Sequence, residues 1–349
     1  MGAITGREIV FGIKKATTWR TAVACEANDG VLVLSQSLGP YAPVYFPDKS
    51  LGQANVKEYY KVSERIAGTF QGLLRYYGLE PVIAMVMGTA GTPAQQGATA
   101  AYLHTFQIAD SIDAIFASFA TKKKSDKVWE MPSAKPHGLT IEGGVGDPLK
   151  VTLSVLGNKY NINGASGTNN TTTIANVTYP TSKRVVMFDA NTKFRINDQD
   201  GAALADTDKV YPHSFTLEFT RPMDELYDAE YQDMTEPVQN EFAEPTLTLR
   251  FNRYNLDTFM DAIAADTEKK LDIYFKGDLI SGAYYYDFMV ECPNVKVISG
   301  VADAGGPGNI PHEVTLQLMA CDSAPTGMTG ITKPFQIKLI SIRSTDALA

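Results

Sequence analysis

A strand-turn-helix block is written twice in this chain, which predicts that one fold has been used two times over. In the first copy Phe70, Gly72, Leu74 and Tyr77 lead into Gly78-Leu79-Glu80, and Val82, Ile83 and Val86 follow. In the second, Leu247, Leu249, Phe251 and Tyr254 lead into Asn255-Leu256-Asp257, and Phe259, Met260 and Ile263 follow. Before each turn the apolar residues alternate at period two, the mark of a half-buried strand; after it they take the spacing of an amphipathic helix. Glu80 and Asp257 stand in the first helical turn, where free amides and the helix dipole favour negative charge.

The order is kept beyond the blocks. Ile115–Ala120 and Leu271–Phe275 read as strands, and the polar turns Lys122–Asp126 and Gly277-Asp278 follow them. Val128–Met131 and Tyr284–Glu291 are the next strands, expected to stop at Pro132 and Pro293 because proline cannot donate to a ladder. Leu139–Glu142 and Val295–Ile298 read as further strands, each followed by a glycine-rich turn (Gly143–Gly146, Gly300–Gly308). The closing strands align residue by residue, Lys150-Val151-Thr152-Leu153-Ser154-Val155-Leu156 against Glu313-Val314-Thr315-Leu316-Gln317-Leu318-Met319.

At 349 residues the chain is long enough for two self-supporting domains. Its 44% hydrophobic and 20% charged content predicts ordinary globular folding. A net charge of -8 argues against a protein that grips duplex nucleic acid, which needs a basic surface. Cys25, Cys292 and Cys321 are odd in number and far apart, so neither a disulfide framework nor a zinc motif is expected. Met1–Lys15 carries Arg7, Glu8, Lys14 and Lys15 and does not read as a secretory leader, and no stretch reads as a membrane span.

Between these elements Ile4–Ile13 reads as a short strand, Lys14–Ala22 as a polar arm and Val31–Leu34 as a short apolar run. Tyr41–Ser63 and Thr220–Glu244 read as long tyrosine-bearing loops at matching places, the second of them after a strand at Ser214–Phe219. Long loops in compact domains are usually functional, and these suit contact with a neighbouring subunit. Asn161–Thr181, rich in Asn, Thr, Gly and Ser, reads as a linker or flexible loop between the halves.

Enzyme chemistry is thin, and no catalytic residue, cofactor site or metal site is expected. His104, His137, His213 and His312 each lack a second ligand at metal spacing. Gly143-Gly144-Val145-Gly146-Asp147 lacks the lysine of a phosphate loop and leads into a strand, and Gly88–Gly97 is again a small-residue loop. Asn197-Asp198-Gln199-Asp200-Gly201 and Asp206-Thr207-Asp208 fall short of a calcium loop, since Ile196 stands where an acid is needed and no glutamate closes it. They read as solvated acidic turns. Asn169-Asn170-Thr171 and Asn176-Val177-Thr178 contain glycosylation sequons, which carry no meaning without a secretory context.

The order Phe70–Val86, Tyr102–Ile108, Ile115–Met131, Leu139–Gly157, Phe188–Arg195, Ser214–Phe219, Thr246–Ile263 and Leu271–Ala320 resembles the tail tube (major tail) proteins of long-tailed bacteriophages. The opening Gly12-Ile13-Lys14-Lys15-Ala16-Thr17-Thr18-Trp19-Arg20-Thr21 and the run Tyr102-Leu103-His104-Thr105-Phe106 are similar to segments of such proteins. The resemblance implies a mainly β fold of sandwich or barrel-like sheets with one packed α-helix per domain. Two tandem domains are expected, residues 1–160 with an N-terminal arm and residues 182–349, joined by a linker or loop at 161–181. It implies a structural virion protein, not an enzyme, made in the host cytoplasm and resident in the phage tail. Subunits would assemble into stacked rings, trimeric and pseudo-sixfold, closing sheet edges that would otherwise recruit strands indiscriminately. The implied partners are further copies of itself and the tip, tape measure and terminator proteins. DNA would pass through the lumen without specific binding, and no membrane is involved. An acidic lumen is expected, with Asp272, Glu313 and Glu142 as candidate lining residues. The other readings are a tail terminator or decoration protein and a glycan-binding or hydrolytic β-sandwich. The last would need an aromatic platform, for which Tyr284-Tyr285-Tyr286-Asp287 is the nearest approach. Successive strand residues point to opposite faces, so that run makes a poor one.

Overall fold

A computed structural model describes residues 6–124, 127–162, 171–180, 182–187, 192–255, 257–302 and 307–349. The fold is mainly β, with antiparallel strands and two short α-helices. The first part of the chain forms β1 (Val10–Ala16), β2 (Val33–Gln36), β3 (Gly39–Pro47) and β4 (Tyr59–Leu73). Helix α1 (Glu80–Met87) follows, then β5 (Ala94–Gln95), β6 (Tyr102–Gln107), β7 (Phe116–Lys124), β8 (Lys127–Gly144), β9 (Lys150–Gly157) and β10 (Asn161–Ile162). The second part begins with β11 (Lys193–Asp198), β12 (Lys209–Val210), β13 (Ser214–Thr220), β14 (Met223–Asp224), β15 (Val238–Gln239) and β16 (Thr246–Phe251). Helix α2 (Thr258–Ala264), β17 (Glu268–Ser281), β18 (Tyr284–Ser299), β19 (His312–Met319) and β20 (Gln336–Ser341) complete it.

The two halves share a register. Leu73↔Lys150, Gln71↔Thr152 and Thr69↔Ser154 in β4–β9 correspond to Arg250↔Glu313, Thr248↔Thr315 and Thr246↔Gln317 in β16–β19. Strand β1 flanks β7 as β11 flanks β17, and Phe11 and Phe194 are buried at equivalent places. Residues 163–170, 181, 188–191, 256 and 303–306 of the expected linker, strand, turn and sequon segments lie outside the described residues.

The strands do not stop at the prolines. β8 runs through Pro132 and Pro136, and β18 runs through Pro293. Pro132 and Ser133 together oppose Ser118, and Pro293 and Asn294 together oppose Lys270, so each proline stands in a β-bulge that needs no ladder amide. The bulges sit where a strand changes neighbours. β8 pairs on one edge with β7 up to Ala134 and, from Gly138, with β13 of the other half. The separate strands expected at Leu139–Glu142 and Val295–Ile298 are therefore the far ends of β8 and β18.

The helices differ. Val82–Met87 of α1 are all buried, whereas α2 buries only Phe259 and Ala262. The first half inserts β5 and β6 after its helix, β6 packs on α1, and β20 from the chain's end pairs with β6 over Gln336↔Gln107 to Ser341↔Tyr102. Helix α1 closes on Gly88, whose left-handed φ of 82° brings its amide to the Ala84 carbonyl at 2.8 Å. Buried Arg221, from the second half, donates to the exposed carbonyls there: Nε to Val86 O at 3.2 Å, Nη2 to Met87 O at 3.0 Å and to Ala109 O at 2.9 Å. Burial pulls its guanidinium down to about 10, still charged at neutral pH. Arg221→Met keeps the volume but removes these donors, leaving the Met87 carbonyl only its bond from the Ala109 amide, and a loss of about 3 kcal/mol in urea unfolding is expected.

Glu80 joins α1 to β20: its carboxylate accepts from Ser341 Oγ at 2.7 Å and from the Gly78 amide at 2.6 Å. Burial pushes the carboxyl up, with those bonds opposing. A raised folded value means that the contribution to stability is complete below the unfolded value of about 4.3 and is lost as pH rises through the folded one. Glu80→Gln should therefore melt above the parent at pH 8 and lose that advantage toward pH 4.

Candidate assembly interface

Eight strands form one continuous face in the order β2, β4, β9, β8, β13, β16, β19, β18. Leu153, Ile141, Leu217, Leu247 and Leu316 point from it into the core. The alternate residues point outward, and Gln71, Thr152, Thr140, Glu218, Thr246 and Gln317 are successive cross-strand neighbours in one row. Leu73, Lys150, Glu142, Thr216, Thr248 and Thr315 form the next. The outward wall is thus mostly hydroxyl and amide.

Its charges come largely in pairs: Lys150 lies 3.9 Å from Glu142, and Arg250 lies 2.7 Å from Glu313. At this exposure each pair contributes little to stability, but together they cancel charge on the wall. Of the acids proposed from sequence, Glu142 and Glu313 do lie on this face, each beside a base. Asp272 does not. It is buried against Arg195, whose Nε donates at 2.9 Å, because β17 pairs with β11 outside the eight-stranded face. Burial pushes the Asp272 carboxyl up while Arg195 pulls it down.

The face has two open edges. β2 pairs only with β4 among the described residues, leaving Leu32 and Leu34 exposed at 44% and 55%. Beyond Lys296, β18 keeps β19 on one side and has no strand partner on the other among the described residues, leaving Ile298, and Val301 just past the strand, exposed at 57% and 62%. Inside the chain the corresponding edges meet: β8 and β13 pair from Ser214↔Gly144 to Thr220↔Gly138. Sequence reasoning marked Val31–Leu34 only as an apolar run. Its signal was the succession Val31, Leu32, Val33, Leu34, which makes both faces of a short strand apolar.

The two tyrosine-bearing segments have separate fates. Tyr41–Ser63 is not a loop but most of a long hairpin of β3 and β4, with Phe46, Leu51, Tyr59 and Tyr60 exposed. The 221–245 segment folds back onto the first half. Asp233 accepts from Arg20 Nε at 3.2 Å and from Asn158 Nδ2 at 3.1 Å, Trp19 Nε1 donates to Met234 O at 3.1 Å, and buried Lys135 meets Glu236 at 2.5 Å.

The residues considered for chemistry lie apart. His104 and His312 are buried with Nε2 against backbone oxygens of Arg343 (2.9 Å) and Gly300 (2.6 Å). Burial drives the rings of His104 and His137 toward neutrality. His213 is exposed in the turn before β13. In the acidic turn Asp198 pairs with Lys269, and Lys270 Nζ donates to Gly201 O at 2.7 Å, so lysines occupy the position a cation would need. Asp206 is shared by Lys193 and Lys209 at 2.9 Å each. Gly143–Asp147 is the turn from β8 to β9, and Tyr285 and Tyr286 face different neighbours, Lys276 and Tyr76. No group of metal-ligating residues occurs among the described residues. Among them also, no helix is long and apolar enough to cross a membrane.

The fold is thus mainly β, with one wall of paired charges and open strand edges. The chain belongs to the phage tail tube protein family, whose pattern it matches over residues 6–320. It is accordingly a non-enzymatic structural protein of the phage tail, a family that implies residence in the virion and association with itself and other tail proteins. No curated protein matches the chain.

Proposed function

We propose that three copies of this chain close into a pseudo-sixfold ring and that rings stack into the tail tube through which DNA is ejected. The observation that carries this reading is the β8–β13 ladder, which joins two register-equivalent halves while the same two edges stay open at the ends of the face. Repeating that junction between copies, β18 of one against β2 of the next, removes every open edge of the face. Three eight-stranded faces give a barrel of roughly 24 strands, wide enough for an aqueous lumen. The tandem units are residues 1–160 and 182–349, joined through 161–181. The hydroxyl and amide wall lines the lumen, where it offers DNA no net positive surface to grip the phosphates. The exposed β3–β4 hairpin makes the contact from ring to ring, and the tip, tape measure and terminator proteins meet the ends of the tube. Synthesis takes place in the host cytoplasm. Electron microscopy of the purified protein over a range of concentrations tests this: stacked rings with pseudo-sixfold class averages are expected. Rings that never stack favour a terminator, and a persistent monomer with glycan affinity would sink the proposal.

A further inference from the structure

Each half makes an excursion at the same place in the repeated fold. In the first it lies between β2 and the far end of β4, where Val33↔Gly72 and Gln36↔Phe70 pair. In the second it lies between β13 and β16, where Phe215↔Leu249 and Leu217↔Leu247 pair. Leu73 and Arg250 share one register position, so Gly72 corresponds to Leu249 and Phe70 to Leu247. The first excursion stands out as the β3–β4 hairpin. The second, 221–245, forms only the short β14–β15 ladder and otherwise runs as a strap over the first half.

The two excursions meet at the root of the hairpin. β9 accompanies β4 as far as Ile66↔Gly157. Two residues nearer the tip the strap takes over: the Glu64 amide donates to Gln232 O at 2.8 Å, the Met234 amide donates to Glu64 O at 3.3 Å, and Glu64 and Asp233 form a parallel bridge. Gln232 Nε2 donates to Lys61 O at 3.3 Å, and Glu225 pairs with Arg65. Between Tyr59 and Arg65, β4 has no other strand partner than β3 among the described residues.

The strap is itself fastened to the body of the first half. Buried Asp233 accepts from Arg20 and Asn158 and has Lys159 3.6 Å away. Arg20 also donates through Nη2 to Asp233 O at 3.0 Å and lies over the Tyr231 ring at 3.9 Å. Glu236 takes the Ala114 amide at 2.7 Å as well as Lys135. A lone two-stranded hairpin is marginally stable at best, so its direction needs outside support. We infer that the strap is a brace: Glu225, Gln232 and Asp233 of the second half fix the direction of the first-half hairpin, and through it the step from one ring to the next. One excursion reaches outward and its equivalent holds it in place. The inference rests on the hairpin being the contact between rings.

The test follows hairpin direction in single chains and stacking in assembled ones. Spin labels at Leu51→Cys and Glu218→Cys, both exposed positions, are placed in a Cys321→Ser background and measured below the assembling concentration. One narrow distance distribution is expected. Arg65→Glu sets an acid against Glu225 at a partly exposed site, and should abolish that narrow peak while moving the melting temperature by less than about 2 °C. Adding Glu225→Arg should restore it. Asp233→Ala, which unfastens the strap from Arg20 and Asn158, should abolish the peak too; if that variant does not fold, Arg65→Glu decides alone. A hairpin pointing correctly only about a tenth of the time weakens each stacking contact about tenfold, so Arg65→Glu should form rings as the parent does and need about ten times the concentration to stack them. A narrow peak kept by the folded variants, or a broad distribution in the parent, overturns the brace and leaves the hairpin's contact between rings standing. Loss of the peak with stacks like the parent's overturns the stacking role, and with it the hairpin as the contact between rings.

Discussion

Leu34→Lys combined with Ile298→Lys is expected to give a folded chain that no longer forms rings. Both side chains are exposed in the single chain, so neither change opens a cavity or strands a polar group. Surface substitutions of this kind usually alter stability by less than about 0.5 kcal/mol, and the melting temperature should move by less than about 2 °C. At the proposed junction the consequences are larger. One lysine would stand on each of the two edges that meet there, each having to lose water, and lysine is the residue with which natural sheets block an edge. Sedimentation at a concentration where the parent assembles should show monomer only. If the double variant forms rings as readily as the parent, these edges are not where copies meet. Changing Phe46 and Tyr60 to serine on the hairpin should instead spare rings and shorten stacks, a difference visible by microscopy.

Ending the chain at Ala320 should abolish the folded state, although the family match also ends there. The residues beyond it supply β20, which pairs with β18 on one side and with β6 on the other. Phe335, Ile337 and Leu339 are fully buried, and Phe335 packs against Phe219 with ring centroids 5.4 Å apart. Burial of three such side chains is worth roughly 5–9 kcal/mol, comparable to the whole stability of an ordinary domain. Truncation would also uncover α1 and remove the hydroxyl bonded to Glu80. Loss of near-UV circular dichroism and rapid proteolysis are expected. A cooperative melt within about 5 °C of the full chain would show that β20 is dispensable.

Much of the fold was legible in the sequence because a strand with one buried face writes its face into every second residue. Phe70, Gly72 and Leu74 against Leu247, Leu249 and Phe251 placed β4 and β16, and the aligned closing strands placed β9 and β19 in the register that the ladders show. The prolines misled. Pro132 and Pro293 mark bulges inside continuous strands, since a missing amide costs nothing where two residues oppose one. The two segments, alike in bearing tyrosines, differ because one meets Arg20, Asn158 and Lys135 while the other pairs into the β3–β4 hairpin. The interface residues were the least visible. Leu32, Leu34, Ile298 and Val301 are ordinary apolar residues, and only their exposure beside an unpaired edge sets them apart.

By itself, then, the sequence determined the repeated pattern, the strand faces and the mainly β character of the chain. Those properties are local, written in periods of two and in turn residues. Only the tertiary structure decided which edges meet: β8 with β13 and β6 with β20, while the outer edges of β2 and of the end of β18 take no strand among the described residues. Backbone amides and carbonyls are the same in every residue, so a strand's sequence says which face it buries and almost nothing about the neighbour its edge will take.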